Sequence, residues 1–173
     1  MIKIRIITVV CLLAILFKAR AQFVSAIIGV DGLTCSSCSF ATEKSIRKLN
    51  FVDSVYMELD KNLATVYFKK NVPVSIKNLS QKVVDAGFSV RNMDVIFNFN
   101  NFTVNNDVCF EFENNMYQFV KIDTEKKLNG ISTIRFIGEK YMSKNEYKPW
   151  NFISSNICKG TSPVSQQYQV TIR

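Results

Sequence analysis

At 173 residues, 47% hydrophobic and 21% charged, the chain has room for one large domain or two small ones, and nothing in it is disordered, collagenous or low in complexity. The formal net charge is +8; the first 21 residues carry four basic and no acidic side chains, which leaves 18 basic against 14 acidic, a net +4. Those Lys and Arg residues scatter along every segment instead of lining one stripe with stacking aromatics, which argues against nucleic acid as a partner.

Residues 1–21 have the layout of a signal peptide. Lys3 and Arg5 precede an apolar run over 6–17 that only Thr8 interrupts, and Ala19-Arg20-Ala21 supplies a small-x-small cleavage pattern. The run is too short to span a bilayer comfortably. The expectation is an exported protein, periplasmic or extracellular, with no stable membrane insertion after cleavage. Lys18 and Arg20 behind the run keep an uncleaved membrane anchor as the minor alternative. Cys11 would leave with the signal.

From 23 to about 92 the pattern changes in a fixed order. Residues 24–30 are an apolar run of strand length closed by Asp31-Gly32. From Ser36 the spacing turns helical through Cys38, Thr42, Ile46 and Leu49, with Glu43, Lys44, Arg47 and Lys48 on the other face and Asn50 at the end. Val55, Met57 and Leu59, then Ala64, Val66 and Phe68, alternate with polar residues on either side of Asp60-Lys61-Asn62, as in a β-hairpin. Ser75 is a plausible N-cap for a helix striped by Ile76, Leu79, Val83 and Ala86, with Gly87 just past its end. A strand starts at 88–90. The order βαββαβ is the layout of a ferredoxin-like sandwich, so the fold class is α+β.

Beyond 93 the texture is β-rich: 95–99, 108–112, 117–120, 131–137 and 168–172 are strand-like runs, and 144–153 is helical with Pro149 as an interruption. These residues predict a small second domain of undetermined topology, compatible with an OB-like barrel or a sandwich. The expected organisation is a signal peptide over 1–21, an α+β domain over 22–92 and a β-rich domain over 93–173. Phe97, Phe99, Phe110, Phe112 and Trp150 are most simply core residues.

Four cysteines remain, Cys35, Cys38, Cys109 and Cys158, in a chain without histidine. In an oxidising compartment the distant pair, Cys109 and Cys158, is a candidate disulfide; a second soft-metal site with Met116 or Met142 has no support in the spacing. The close pair has three readings: a metal site, a redox pair or an inert disulfide. Cys35 falls in the loop after the first strand and Cys38 in the first turn of a helix, whose N-terminal N–H groups and positive dipole end favour thiolates. Thiolates are soft ligands. Without histidine a four-coordinate zinc site is hard to assemble, whereas Cu(I) and Hg(II) tolerate two ligands and can be lost to an incoming thiol.

The stretches "VDGLTCSSC", "LDKNLATVYF" and "VVDAGFSV" resemble the heavy-metal-associated domain family of copper chaperones, copper-ATPase modules and periplasmic mercuric-ion carriers. The resemblance covers residues 23–92. It implies the ferredoxin-like fold, metal binding by Cys35 and Cys38, and a metal-donor or metal-acceptor partner such as a transporter domain. It also implies loop support from Thr34, which is similar to the monovalent-copper members, from Leu33 where the family usually has Met, and from Phe88. Phe51 and Thr42 depart from the family pattern, which has Gly and Ile there. The resulting expectation is a non-enzymatic exported carrier of Cu(I), with an Hg(II) scavenger as the alternative. A thiol-disulfide oxidoreductase, or an interaction module without metal, are readings from other classes.

Overall fold

The computed structural model describes residues 22–150, 158 and 166–173. The expected signal peptide lies outside the described residues. The first six elements are β1 (Gln22–Asp31), α1 (Ser36–Ile46), β2 (Val52–Glu58), β3 (Leu63–Phe68), α2 (Ile76–Asp85) and β4 (Ser89–Val104). They form an antiparallel sheet in the order β2-β3-β1-β4, the ferredoxin-like arrangement.

Alternation along the strands explains the layering. Ala26 and Ile28 of β1 stand beside Val66 and Ala64 of β3, and beside Val95 and Met93 of β4, all buried. Ile46 of α1 and Ile76, Leu79 and Val83 of α2 join the same core. Each such side chain contributes about 1.5–3 kcal/mol by leaving water. Ser75 caps α2 by accepting from the Asn78 N–H at 3.2 Å. Helix α1 stops at Ile46, one turn short of the expected end. Leu49 N then bonds Ile46 O in a tighter turn, which keeps Leu49 half-buried.

The sequence sets the boundary near 92/93 but leaves open that the fourth strand runs straight on into the second region. One 16-residue strand, β4, does pass straight through. The polar residues Asn92, Asp94 and Asn98 alternate with the core side chains Met93, Val95 and Phe97, on the opposite face of the strand. There Asp94 accepts from both Nε (2.6 Å) and NH2 (2.7 Å) of Arg135, so its carboxylate is buried without being orphaned.

The remaining strands are β5 (Cys109–Phe112), β6 (Asn115–Phe119), β7 (Lys126–Ile137) and β8 (Gln166–Ile172). They extend the same sheet from the edge of β4, in the order β4-β7-β8-β6-β5. The sheet curls. Phe110 and Phe112, on the last strand, reach back across it to Phe97, with ring centroids 5.8 and 5.0 Å away, and Phe112 also meets Phe23 at 5.3 Å. In its described residues the region is therefore neither a free-standing sandwich nor a closed barrel: β5 pairs with β6 alone. One aromatic core joins the two halves, and Phe97 and Phe99 lie in it as expected. Trp150 sits instead beside a small cluster of Val120, Ile137 and Met142, with Lys121 Nζ 4.6 Å from its ring.

The expected helix at 144–153 is α3 (Lys144–Tyr147) followed by a 3-10 turn, Lys148–Trp150; 151–153 lie outside the described residues. The segment before α3 is pinned to the first half. Ser80 Oγ donates to Lys140 O at 2.5 Å, and Ser143 N donates to Arg91 O at 2.8 Å. Among the described residues no helix is long and apolar enough to cross a membrane.

Candidate metal centre

The chain leaves β1 at Asp31 and enters α1 through Gly32, Leu33, Thr34 and Cys35. Gly32 has φ +92, a left-handed conformation that an L side chain resists, and a Cβ there would stand 3.3 Å from the Phe88 ring. Phe88 thus forms the floor of the loop. Leu33 is buried and fills the core beneath it, while Thr34 is exposed. Gly32→Ala is expected to cost about 1–3 kcal/mol through strained backbone and crowding of Phe88, read as a lower urea midpoint with unchanged slope.

Cys35 is the N-cap of α1. Its Sγ accepts from the Cys38 N–H at 3.3 Å, and Ser37 Oγ lies 3.1 Å from the same sulfur. Cys38 follows in the first turn, so the two Cα atoms are 5.3 Å apart and the structure joins the two sulfurs as a disulfide. Cys35 is exposed and Cys38 half-buried. No acidic residue occupies the first turn of α1, so the positive helix end is left to the two cysteine sulfurs. Among the described residues no group of three or more His, Cys, Asp or Glu comes together.

The two departures from the family pattern become intelligible here. Thr42 is fully buried, yet its hydroxyl donates to Cys38 O at 3.1 Å, so a polar side chain replaces an aliphatic one without an unmet bond. Phe51, at 2% exposure, packs edge-on against Phe68.

Three contacts had no signal in the sequence. Asn62, in the β2–β3 turn, accepts from Val30 N at 2.9 Å; Arg91 donates to Lys61 O at 3.1 Å and pairs with Asp31 at 3.5 Å. Glu58 hydrogen-bonds Lys61 and draws its ammonium pKa upward. Far along the sheet the structure brings Cys109 of β5 and Cys158 together as a disulfide, Cα atoms 6.1 Å apart. Met142 lies elsewhere, in the Val120 cluster, and Met116 is buried in β6.

Residues 27–89 match the heavy-metal-associated domain. The chain is 34% identical over 68 residues to the copper chaperone CopZ of Staphylococcus haemolyticus (strain JCSC1435), covering 98% of that protein and 39% of this chain. It belongs to the heavy-metal-associated domain family. The mercuric transport protein periplasmic component of Pseudomonas fluorescens is 28% identical over 90 residues, 98% of its length and 51% of this one. A crystal structure of a copper-binding domain from a P-type ATPase aligns at 30% identity and TM-score 0.37, over 40% of this chain and 92% of its own. The heavy-metal-associated domain of this chain is thus the ferredoxin-like half, and its glycine-containing loop is the β1–α1 connection that carries Cys35 and Cys38.

Proposed function

We propose that the protein is an exported soft-metal carrier whose cargo, Cu(I), is held by the thiolates of Cys35 and Cys38. The observation that carries this reading is the pair itself: two cysteines within disulfide reach at a helix N-terminus, which reduction turns into two thiol ligands, with no group of three or more His, Cys, Asp or Glu around them among the described residues. Two soft ligands satisfy a low-coordinate d¹⁰ ion and leave it open to attack. A thiolate of the partner adds to the bound ion, and Cys35 or Cys38 leaves as a thiolate. A second such step completes transfer, with the metal's oxidation state unchanged throughout. The partner is a metal-donor or metal-acceptor protein such as a transporter domain.

The metal function belongs to residues 22–92, and the described strands beyond them, β7, β8, β6 and β5, extend their sheet, with the Cys109–Cys158 link closing the extension in an oxidising compartment. The mercuric relative, which matches over more of the chain than CopZ does, favours Hg(II) as the second cargo. Export rests on the pattern in residues 1–21. An anaerobic titration tests the assignment. The reduced protein is expected to take up about one equivalent of Cu(I), and protein alkylated at its thiols none; equal uptake by both would remove the proposal. Competition between Cu(I) and Hg(II) then decides the cargo.

A further inference from the structure

Asn62 stands in the left-handed region at φ 53, a conformation that asparagine tolerates better than most residues. Its carbonyl accepts from Val30 N at 2.9 Å, which anchors the turn to the last core residue of β1. Its side-chain amide faces two carbonyl oxygens, so only the NH₂ group can satisfy both. It then donates to Leu33 O at 2.8 Å and to Leu59 O at 3.2 Å. Leu33 is two residues before Cys35, so the β2–β3 turn holds the cysteine loop by its own backbone.

We infer that Asn62 is a positioning residue for the metal loop: its amide fixes the Leu33 carbonyl and with it the direction in which the chain delivers Cys35. The inference rests on the metal-carrier reading. Phe88 supports the loop from below at Gly32, and the Arg91–Asp31 pair ties its entrance. Asn62 is the side tether, and it bonds nearest to the first cysteine. A two-ligand site has no further ligand to correct a misplaced thiolate, so loop order translates directly into affinity.

Asn62→Gly keeps the positive φ and removes the amide. Asn62→Asp keeps the shape and sets a carboxylate against the two carbonyls. Both variants of the full chain are compared with wild type by backbone NMR order parameters of residues 32–35 in the reduced apo protein, and by Cu(I) competition with bathocuproine disulfonate. The expected result is a fall of the loop order parameters from about 0.85 toward 0.6 with the β1 and β4 values unchanged. Cu(I) affinity is expected to fall about tenfold, as for other groups that orient metal ligands. Wild-type loop order in both variants overturns the tether, and a loosened loop with wild-type affinity overturns the positioning role. If wild type itself binds neither Cu(I) nor Hg(II), the carrier reading fails, and the order parameters still decide whether Asn62 holds the loop.

Discussion

Cys35→Ser is expected to lower Cu(I) affinity by more than about 100-fold, beyond the range of changes to groups that merely orient a ligand. With both proteins reduced, the melting temperature of the apo variant should stay within about 4 °C of wild type, the shift that roughly 1 kcal/mol produces in a chain of this size. The affinity loss follows from chemistry. A serine hydroxyl is a hard oxygen that stays protonated at neutral pH, and a bis-thiolate site reduced to one thiolate has no substitute ligand among the described residues. The unchanged stability follows from position. Once its disulfide with Cys38 is reduced, exposed Cys35 serves the fold as the N-cap of α1, and serine is among the preferred N-cap residues. Cys38→Ser should lose affinity equally but cost about 1 kcal/mol more, since Cys38 is half-buried against the core. Bathocuproine competition paired with thermal unfolding separates the two effects. Retention of wild-type affinity by either variant would place the metal elsewhere.

The metal loop was legible because several local signals coincided there. A strand-length run, a glycine needing positive φ, two cysteines three positions apart and a helical stripe occur in one short stretch, each with its own physical meaning. The tethers were not legible. Asn62 had the appearance of ordinary turn chemistry, and only the folded turn shows its amide aimed at Leu33 O. Arg91 follows the start of a strand and carries no local signal of its own, yet its guanidinium spans from Lys61 O to Asp31.

The same cause explains the second half. Its strands were recognisable, since alternation is a local property, and 108–112 and 117–120 fall close to β5 and β6. Their order was not. β6 lies parallel to β8, nearly fifty residues away in sequence, and β1 pairs with β4 on both sides of the expected boundary, from Ser89 to Asn98. Pairings of that kind depend on which faces bury together. Here the deciding contacts are rings: Tyr117 stacks on Phe110 at 4.9 Å and on Tyr168 at 5.3 Å, fixing β6 between its partners.

Phe97→Ala is expected to destabilise the whole protein by about 3–5 kcal/mol, the usual cost of emptying a phenylalanine site in a packed core. Phe97 is 1% exposed and touches Phe23 of β1 at 5.0 Å, Phe99 of its own strand at 4.6 Å, and Phe112 of β5 at 5.0 Å. Its neighbours therefore come from both the ferredoxin-like half and the extension. A cavity there weakens the packing of each half against the other, so urea unfolding should remain a single transition with a lower midpoint when followed both by Trp150 fluorescence and by far-ultraviolet circular dichroism. Ile131→Ala is the matched control: at 70% exposure it should change stability by no more than about 0.5 kcal/mol. Two separated transitions, with Phe97→Ala shifting only one of them, would mean that the halves fold independently in spite of their shared strand. A single shifted transition would mean that the Cys35–Cys38 loop depends on the extension for its stability even though, among the described residues, no His, Cys, Asp or Glu of the extension joins the pair in a group of three or more.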